Sequence, residues 1–298
     1  MEDENHCFYL SSRGLLKSCH VHSTNPISSI RQLIGYDLSK LYDGCSLYIC
    51  NAAIPWFSKM LPQINCQFVL VSGDCDESCP TDLFRTNDEF VSFIENPKII
   101  HWYSQNCIVK HEKITQLPIG LDYHTLSKTN HPWGNMALPV EQEHLLTNIK
   151  HNSKPFWERE LKCYSNFHFA MKTKFSYDRK DAYENIDKEL VYYEPTQVKR
   201  YISWKKQTSY AFVLSPHGNG LDCHRTWEAL CLGCIPIVKT SPLDNMYDGL
   251  PVLVVNDWKD ITIELLQNTV DNYKDRPFIY EKLSLSYWMN KIHSSGTS

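Results

Sequence analysis

The sequence predicts an α/β protein with two domains, each built on a parallel sheet. In the first half, strand-like apolar runs at 46–50, 67–71 and 98–103 alternate with helix-compatible stretches at 27–41 and 87–95. This alternation favours a parallel sheet, because parallel strands need a crossover connection that is usually a helix. A chain of 298 residues, 42% of them hydrophobic, is also long enough for two domains of typical size with packed cores.

The pattern is interrupted near the middle of the chain. From about Leu126, prolines and a glycine break the alternation, after a short predicted strand and turn at 117–120. The predicted organisation is a first Rossmann-like domain at 1–135, a linker at 136–155 that contains a helix at about 139–151, a second Rossmann-like domain at 156–275, and a terminal helical segment at 276–298.

A second alternation fills the carboxy-terminal half. Its predicted elements are a strand at 167–171, helices at 178–190 and 196–206, a strand at 211–214, strands at 235–239 and 251–255, and a helix at 260–272. This order again predicts parallel strands, with ligands at their carboxyl ends.

The segment from Ser215 to Val238 carries the strongest functional pattern. It consists of a glycine loop at 215–220, an amphipathic helix that is predicted to begin near Asp222 as its N-cap, a stop at Gly233, and a buried strand. A glycine loop that leads into a helix N-terminus is a natural anion site, because free N–H groups and the helix dipole point at it.

The helix in this segment has two different faces. The apolar stripe consists of Cys223, Trp227, Leu230 and Cys231, whereas His224, Arg225 and Glu228 gather on the opposite side. An imidazole and a guanidinium in the first turn suit a diphosphate, and a carboxylate one turn later suits a pair of sugar hydroxyls. The alternative is a surface ion pair between Arg225 and Glu228 on an ordinary amphipathic helix.

The same segment resembles the sugar-nucleotide-binding motif of exostosin-like glycosyltransferases, including compact versions from large DNA viruses. The shared pattern is Ser-Pro-x-Gly-Asn-Gly-x-Asp-x-His-Arg-x-Trp-Glu-Ala-Leu followed by Gly-Cys-Ile-Pro-Ile-Val, with weaker likeness at 96–121 and in the strand that ends at Asp74. The resemblance implies a GT-B fold, in which two Rossmann-like domains face a central cleft and a terminal helix crosses back onto the first domain. It further implies that Glu228 binds the ribose and Arg225 the diphosphate of a UDP-sugar, with UDP-xylose as one candidate.

The predicted donor site extends over the whole loop and the first helical turns. Its members are Ser215, His217, Gly218, Asn219, Gly220, Asp222, His224, Arg225 and Glu228, together with Lys172 and Lys174 from the loop after the first strand of the second domain. The two lysines would add positive charge against the phosphates.

Asp74 and Asp76 form a second candidate site directly after the apolar run at 67–71. Three interpretations are open: the pair caps a turn, it holds a divalent cation as in GT-A transferases, or it supplies the general base of an inverting, metal-independent transferase. We expect the base, with Asp74 ahead of Asp76 and with His101 and His111 as rivals.

Composition limits the partners and the compartment. A net charge of −4 and a pI near 6.3 give no reason to expect nucleic acid as a partner. The acidic N-terminus does not look like a signal peptide, the twelve cysteines show no disulfide framework, and no apolar run approaches the ~20 residues of a membrane span. We therefore expect a cytoplasmic protein, in the host cytoplasm if it is viral, that needs no cofactor besides its donor and acts on a glycan or glycoprotein. The competing functions are a catalytically inactive nucleotide- or sugar-binding module and a GT-A-like, metal-dependent transferase.

Overall fold

The computed structural model describes residues 4–167 and 173–297, which form two compact units. The amino-terminal unit contains Glu4–Ile119 and the chain from Ser284 onward, and the carboxy-terminal unit contains Gly120–Leu283. Each unit has one parallel sheet with helices, which confirms the predicted α/β class. The boundary differs from the prediction: the second unit begins at Gly120, so the segment predicted as a linker at 136–155 is part of it.

The amino-terminal unit is built on four parallel strands in the order β1-β2-β3-β4. The strands are β1 (Cys45–Cys50), β2 (Phe68–Gly73), β3 (Ile99–Ser104) and β4 (Ile114–Gln116), and the helices are α1 (Ser12–Ser18), α2 (Ile54–Phe57) and α3 (Asn87–Ile94). Consecutive residues of β2 lie in different hydrophobic cores: Phe68 packs with α2 and α3, whereas Val69 packs with α1. Helices therefore cover both faces of this sheet, as expected for buried parallel strands.

Two predictions for this unit are wrong. The stretch 27–41 is irregular and ends in a single 3-10 turn at Leu38–Lys40, because Ser29 and Gly35 have positive φ angles of 57° and 74° that no α-helix contains. Its apolar residues still pack against the core, which explains the misleading spacing. The strand predicted at 117–120 lies earlier, at Ile114–Gln116.

The carboxy-terminal unit has five parallel strands in the order β6-β5-β7-β8-β9. Its elements are α4 (His124–Ser127), α5 (Pro139–His151), β5 (Glu160–Ser165), α6 (Ser176–Asn185), β6 (Val191–Tyr193), α7 (Arg200–Gln207), β7 (Tyr210–Leu214), α8 (His224–Cys231), β8 (Ile235–Lys239), β9 (Leu253–Val255) and α9 (Ile263–Lys274). The chain first adds β6 on one side of β5 and then β7 on the other. The topological switch point, where open α/β sheets bind ligands, therefore lies between the carboxyl ends of β5 and β7.

Several element bounds in this unit differ from the prediction. The first strand is at Glu160–Ser165, and the predicted strand at 167–171 lies almost entirely outside the described residues. The predicted helix 178–190 is divided into α6 and a short 3-10 turn at Lys188–Leu190. The strand that follows this turn, β6, was not predicted. The strands predicted at 211–214 and 235–239 are confirmed as β7 and β8.

The last helix of the chain, α10 (Leu285–Gly296), belongs to the amino-terminal unit. Trp288, Met289 and Ile292 pack against the face of the sheet that includes Tyr48 and Val69. Among the described residues, no helix is both long and apolar enough to cross a membrane.

Candidate functional site

The glycine loop at 215–220 lies at the carboxyl end of β7, beside the switch point of the carboxy-terminal sheet. The loop that follows β5 contacts it directly. The carbonyl oxygen of Gly218 accepts hydrogen bonds from the Phe175 N–H at 3.2 Å and the Thr173 hydroxyl at 3.3 Å. The two segments that follow the switch-point strands are therefore linked through one glycine carbonyl.

The buried side chain of Asp178 fixes the backbone of this loop. Its Oδ2 accepts the N–H of His217 at 2.8 Å, while its Oδ1 accepts the indole N–H of Trp258 at 2.7 Å. The N–H of Gly218 bonds to Gly220 O at 3.0 Å. Both N–H groups are therefore used within the protein, one by Asp178 and one by the loop, which differs from the prediction that the loop donates its free N–H groups to an anion.

The side chain of Arg179 packs closely against Gly218. A Cβ atom at this position would lie 2.5 Å from the Arg179 Nη2, so a larger residue would displace the guanidinium. Arg179 Nε donates to His217 O at 3.2 Å, which holds the side chain against the loop. Burial lowers the pKa of Arg179, and the nearby Arg225 lowers it further.

Arg225 is half-buried on the first turn of α8 and faces the same loop. Its Nη1 lies 3.2 Å from Pro216 O and 3.5 Å from Ser215 Oγ, and its guanidinium is 5.8 Å from the centre of the Phe167 ring. No carboxylate in the described parts of the chain forms an ion pair with Arg225. Its charge therefore lies near a second guanidinium, that of Arg179, without an ion-pair partner among the described residues, an arrangement that favours an anionic ligand.

Glu228 lies one turn further along α8, with a side chain that is 15% exposed. Its Oε1 is 3.9 Å from Arg200 Nε, a long contact compared with the 2.8 Å between Arg200 Nη2 and Asp122 Oδ2. Arg200 is thus committed mainly to Asp122, and the Glu228 carboxylate keeps capacity to accept further hydrogen bonds, such as those of a ribose diol.

The predicted N-cap of α8 is wrong. The N-cap residue is Cys223, which makes no side-chain cap hydrogen bond, and the helix begins at His224. Asp222 is buried and accepts the Trp227 indole N–H at 2.8 Å. It therefore anchors the apolar face of the helix and takes a structural role.

The remaining predicted donor residues have varied positions. His224 Nδ1 lies 2.7 Å from Gly120 O, so in the neutral ring Nδ1 carries the proton and Nε2 the lone pair. Ser215 is buried and exchanges a hydrogen bond with Thr226, whereas Asn219 and Lys174 are exposed. Lys172 lies outside the described residues.

In the amino-terminal unit, Asp74 forms a buried ion pair. Its Oδ2 lies 3.1 Å from Arg13 Nε, and its Oδ1 accepts the Ser28 hydroxyl at 2.9 Å. The residue has a φ of 58°, and its N–H bonds to Gln105 Oε1 at 2.9 Å. Because both carboxylate oxygens are engaged and the side chain is only 4% exposed, Asp74 is poorly suited to serve as an acceptor base or a metal ligand.

The other candidates for the general base, Asp76, His101 and His111, are also in this unit. Asp76 is half-buried, and His101 Nε2 contacts Thr115 Oγ1 at 2.8 Å. Burial lowers the pKa of His101, and Lys113 adds to this effect. His111 Nε2 lies 3.0 Å from Glu95 Oε1. Among residues 4–167 and 173–297, no group of three or more His, Cys, Asp or Glu side chains is arranged to hold a metal ion.

The sequence analysis did not identify Asp122, Tyr123 and His124 as candidate site residues, but the structure places this segment beside α8. The predicted domain boundary at residue 135 assigned this segment to the other domain, away from the donor motif. The only signal in the sequence was the acidic and imidazole side chains directly after the extended run that ends at Leu121.

Comparison with known proteins gives no independent assignment: no family model matches the chain, and no curated protein matches it closely enough to count as a relative.

Proposed function

We propose that this protein is a glycosyltransferase that moves a sugar from a nucleoside-diphosphate sugar to a hydroxyl group of a glycan or glycoprotein. The observation that carries the proposal is the polar face of α8 at the switch point of the carboxy-terminal sheet. There, among the described residues, Arg225 has no ion-pair partner and the Glu228 carboxylate has a single long ion-pair contact, at 3.9 Å from Arg200. The resemblance of Ser215–Val238 to the exostosin-like motif supports the same ligand class.

The side chains of Arg225 and Glu228 match two parts of a nucleoside diphosphate, the diphosphate and the ribose. Guanidinium groups bind phosphate oxygens through charge-assisted hydrogen bonds, and the guanidinium of Arg179 is near that of Arg225. Glu228, one helical turn away, would accept hydrogen bonds from ribose hydroxyls. UDP is the first nucleotide to test and xylose the first sugar, and the GT-B arrangement and inversion at the anomeric carbon are parts of the proposal.

The two guanidinium groups also support chemistry without a metal ion, because they can stabilise the charge that develops on a leaving diphosphate. The cytoplasm is the proposed compartment, since all twelve cysteines are free thiols.

A thermal-shift panel of UDP-, GDP- and CMP-sugars tests the proposal. A ligand present at 100 times its dissociation constant stabilises the native state by about 2.7 kcal/mol, so the true donor should raise the melting temperature while the others do not. The donor that binds is then assayed for release of its nucleotide in the presence of glycan acceptors. Binding without transfer or hydrolysis would favour the inactive module, and failure of every nucleotide to bind would refute the donor site.

A further inference from the structure

The imidazole of His224, the first residue of α8, is held by a backbone carbonyl group. Its Nδ1 lies 2.7 Å from the carbonyl oxygen of Gly120, and a carbonyl oxygen can only accept a hydrogen bond. Nδ1 therefore carries a proton in both the neutral and the charged ring, and Nε2 is the nitrogen that takes up or releases a proton. The same hydrogen bond fixes the orientation of the ring.

The Nε2 nitrogen of His224 is available to a ligand. Among residues 4–167 and 173–297, the bond from Nδ1 to Gly120 is the one hydrogen bond of this side chain. The residue is half-buried, so a small molecule can reach the ring while the protein holds it in place. A neutral imidazole in this setting presents an unshared lone pair at Nε2, which is what a general base requires.

His224 is adjacent to both side chains of the proposed donor site. It directly precedes Arg225, and Glu228 lies at i+4 from it, where two side chains are neighbours on a helix. The anomeric carbon of a nucleoside-diphosphate sugar is bonded to an oxygen of the terminal phosphate. A side chain next to the guanidinium that would bind the diphosphate is therefore within reach of the bond that breaks.

We propose that His224 is the general base of the transfer reaction. Its Nε2 takes the proton of the acceptor hydroxyl while the acceptor oxygen forms a bond to the anomeric carbon. The bond from that carbon to the diphosphate oxygen breaks, and the nucleoside diphosphate leaves with the electron pair. The His224 imidazolium later releases its proton to water.

This assignment rests on the proposed glycosyl transfer and replaces Asp74 as the expected base. It also gives His224 a role other than the phosphate contact that the sequence predicts. The two roles differ in a measurable way. A phosphate ligand stabilises bound UDP, whereas a base that acts on the acceptor contributes only to the transition state of transfer.

The buried carboxylate of Asp122 supplies negative charge near the ring. Burial alone would raise the pKa of Asp122, but Arg200, His124 and His224 outweigh burial and hold that pKa well below its usual range. The ionised Asp122 stabilises the imidazolium that forms when Nε2 accepts a proton. Arg200 and His124, whose ring centroid lies 6.3 Å from that of His224, oppose it.

Charged groups on α8 act on the same ring in opposite directions. Glu228 stabilises the imidazolium, and Arg225 destabilises it. Glu143 on the neighbouring α5 accepts the Tyr123 hydroxyl at 2.8 Å. An imidazole between opposing charges of this kind can both gain and lose a proton during turnover.

The first test is His224→Asn, whose side-chain amide can keep the hydrogen bond to Gly120 while the Nε2 base is lost. We expect kcat to fall by roughly 10²–10⁴-fold, the usual contribution of a general base, while the affinity for UDP stays within a few-fold. The rate of wild type should fall in acid, because a protonated Nε2 cannot accept a proton, and the variant should lack this dependence. His144→Asn, which changes an exposed histidine on α5, is the matched control.

Azide provides a second test, because this anion has no proton to lose and its attack needs no base. Transfer of the sugar to azide, which yields a glycosyl azide, should proceed at similar rates in wild type and His224→Asn. If His224→Asn does not fold, as judged by circular dichroism, His224→Gln takes its place with the same expectations.

Three results would overturn the assignment and leave the proposed function intact. They are wild-type turnover in a folded variant, a loss of UDP affinity as large as the loss of turnover, and an equal slowing with azide and with a glycan acceptor. The second of these would identify His224 as a phosphate ligand. A wild-type protein that binds no nucleotide and transfers no sugar would refute the assignment and the proposed function together.

Discussion

Asp74 Oδ2 lies 3.1 Å from Arg13 Nε, and both side chains are 4% exposed. This ion pair joins α1 to the turn that follows β2, at a position where Asp74 has a φ of 58°. A buried pair of this kind holds two chain segments in register, and the loss of one partner leaves an uncompensated charge.

We therefore expect Asp74→Asn to lower stability more than catalysis. Removing one partner of a buried ion pair costs about 3–5 kcal/mol, which denaturant titration would measure as a lower free energy of unfolding. Turnover per folded molecule should stay within a few-fold of wild type. Asp88→Asn, which changes an exposed carboxylate on α3, is the matched control. A stable Asp74→Asn protein that has lost more than 10²-fold in turnover would identify Asp74 as the base.

Arg225→Ala and Glu228→Ala should weaken UDP binding in different ways. Each removes a hydrogen bond that involves a charged group, with an expected loss of about 1.5–3 kcal/mol. Calorimetry should show that Arg225→Ala reduces the preference for UDP over uridine, with Arg179 still present, and that Glu228→Ala reduces the preference for UDP over its 2′,3′-dideoxy analogue. Glu264→Gln, an exposed carboxylate on α9, serves as the control. Unchanged affinities in both variants would remove the basis of the donor site.

Turnover should persist when divalent cations are removed. Arg225 and Arg179 supply positive charge next to the glycine loop, and Asp74 is engaged by Arg13 and Ser28. The measurement is the transfer rate after dialysis against EDTA, with and without added Mn²⁺ or Mg²⁺. If EDTA stops the reaction and Mn²⁺ restores it, the metal-dependent mechanism is correct.

Acid should destabilise the amino-terminal unit through His293 on α10. Burial lowers the pKa of His293, and His20, whose ring centroid is 4.7 Å away, lowers it further. The unfolded chain then binds more protons than the folded chain, so the free energy of unfolding falls as the pH drops below about 6.5. His293→Gln should flatten this dependence in denaturant titrations at several pH values, whereas His144→Gln should not. Identical pH slopes in wild type and His293→Gln would contradict the prediction.

Local patterns in the sequence were sufficient for most strands and for the two faces of α8. The apolar residues at Trp227 and Leu230 are separated from Arg225 and Glu228 by the helical period alone, so the two faces of α8 are visible in the printed sequence and confirmed by burial. Strands such as Ile235–Lys239 were predicted correctly because a fully buried parallel strand is a continuous apolar run.

Local patterns failed where the partner of a residue is distant in the chain. The sequence suggested a catalytic role for Asp74, but in the folded protein its carboxylate pairs with Arg13. The sequence also suggested Asp222 as an N-cap, but Asp222 accepts a hydrogen bond from the Trp227 indole instead. The stretch 27–41 has apolar residues at helical spacing, but these residues pack against the hydrophobic core without forming a helix.

The sequence by itself determined the α/β class, most strands and the two-faced helix of the candidate site, because propensity and periodicity are local properties. Only the tertiary structure decided which polar side chains remain available for a ligand. Strand order created the switch point between β5 and β7, and it brought Asp178 to the glycine loop and the Asp122–His124 pair to α8. The physical reason is that a buried charge is engaged or available according to its neighbours in space, and those neighbours come from segments that are far apart in the chain.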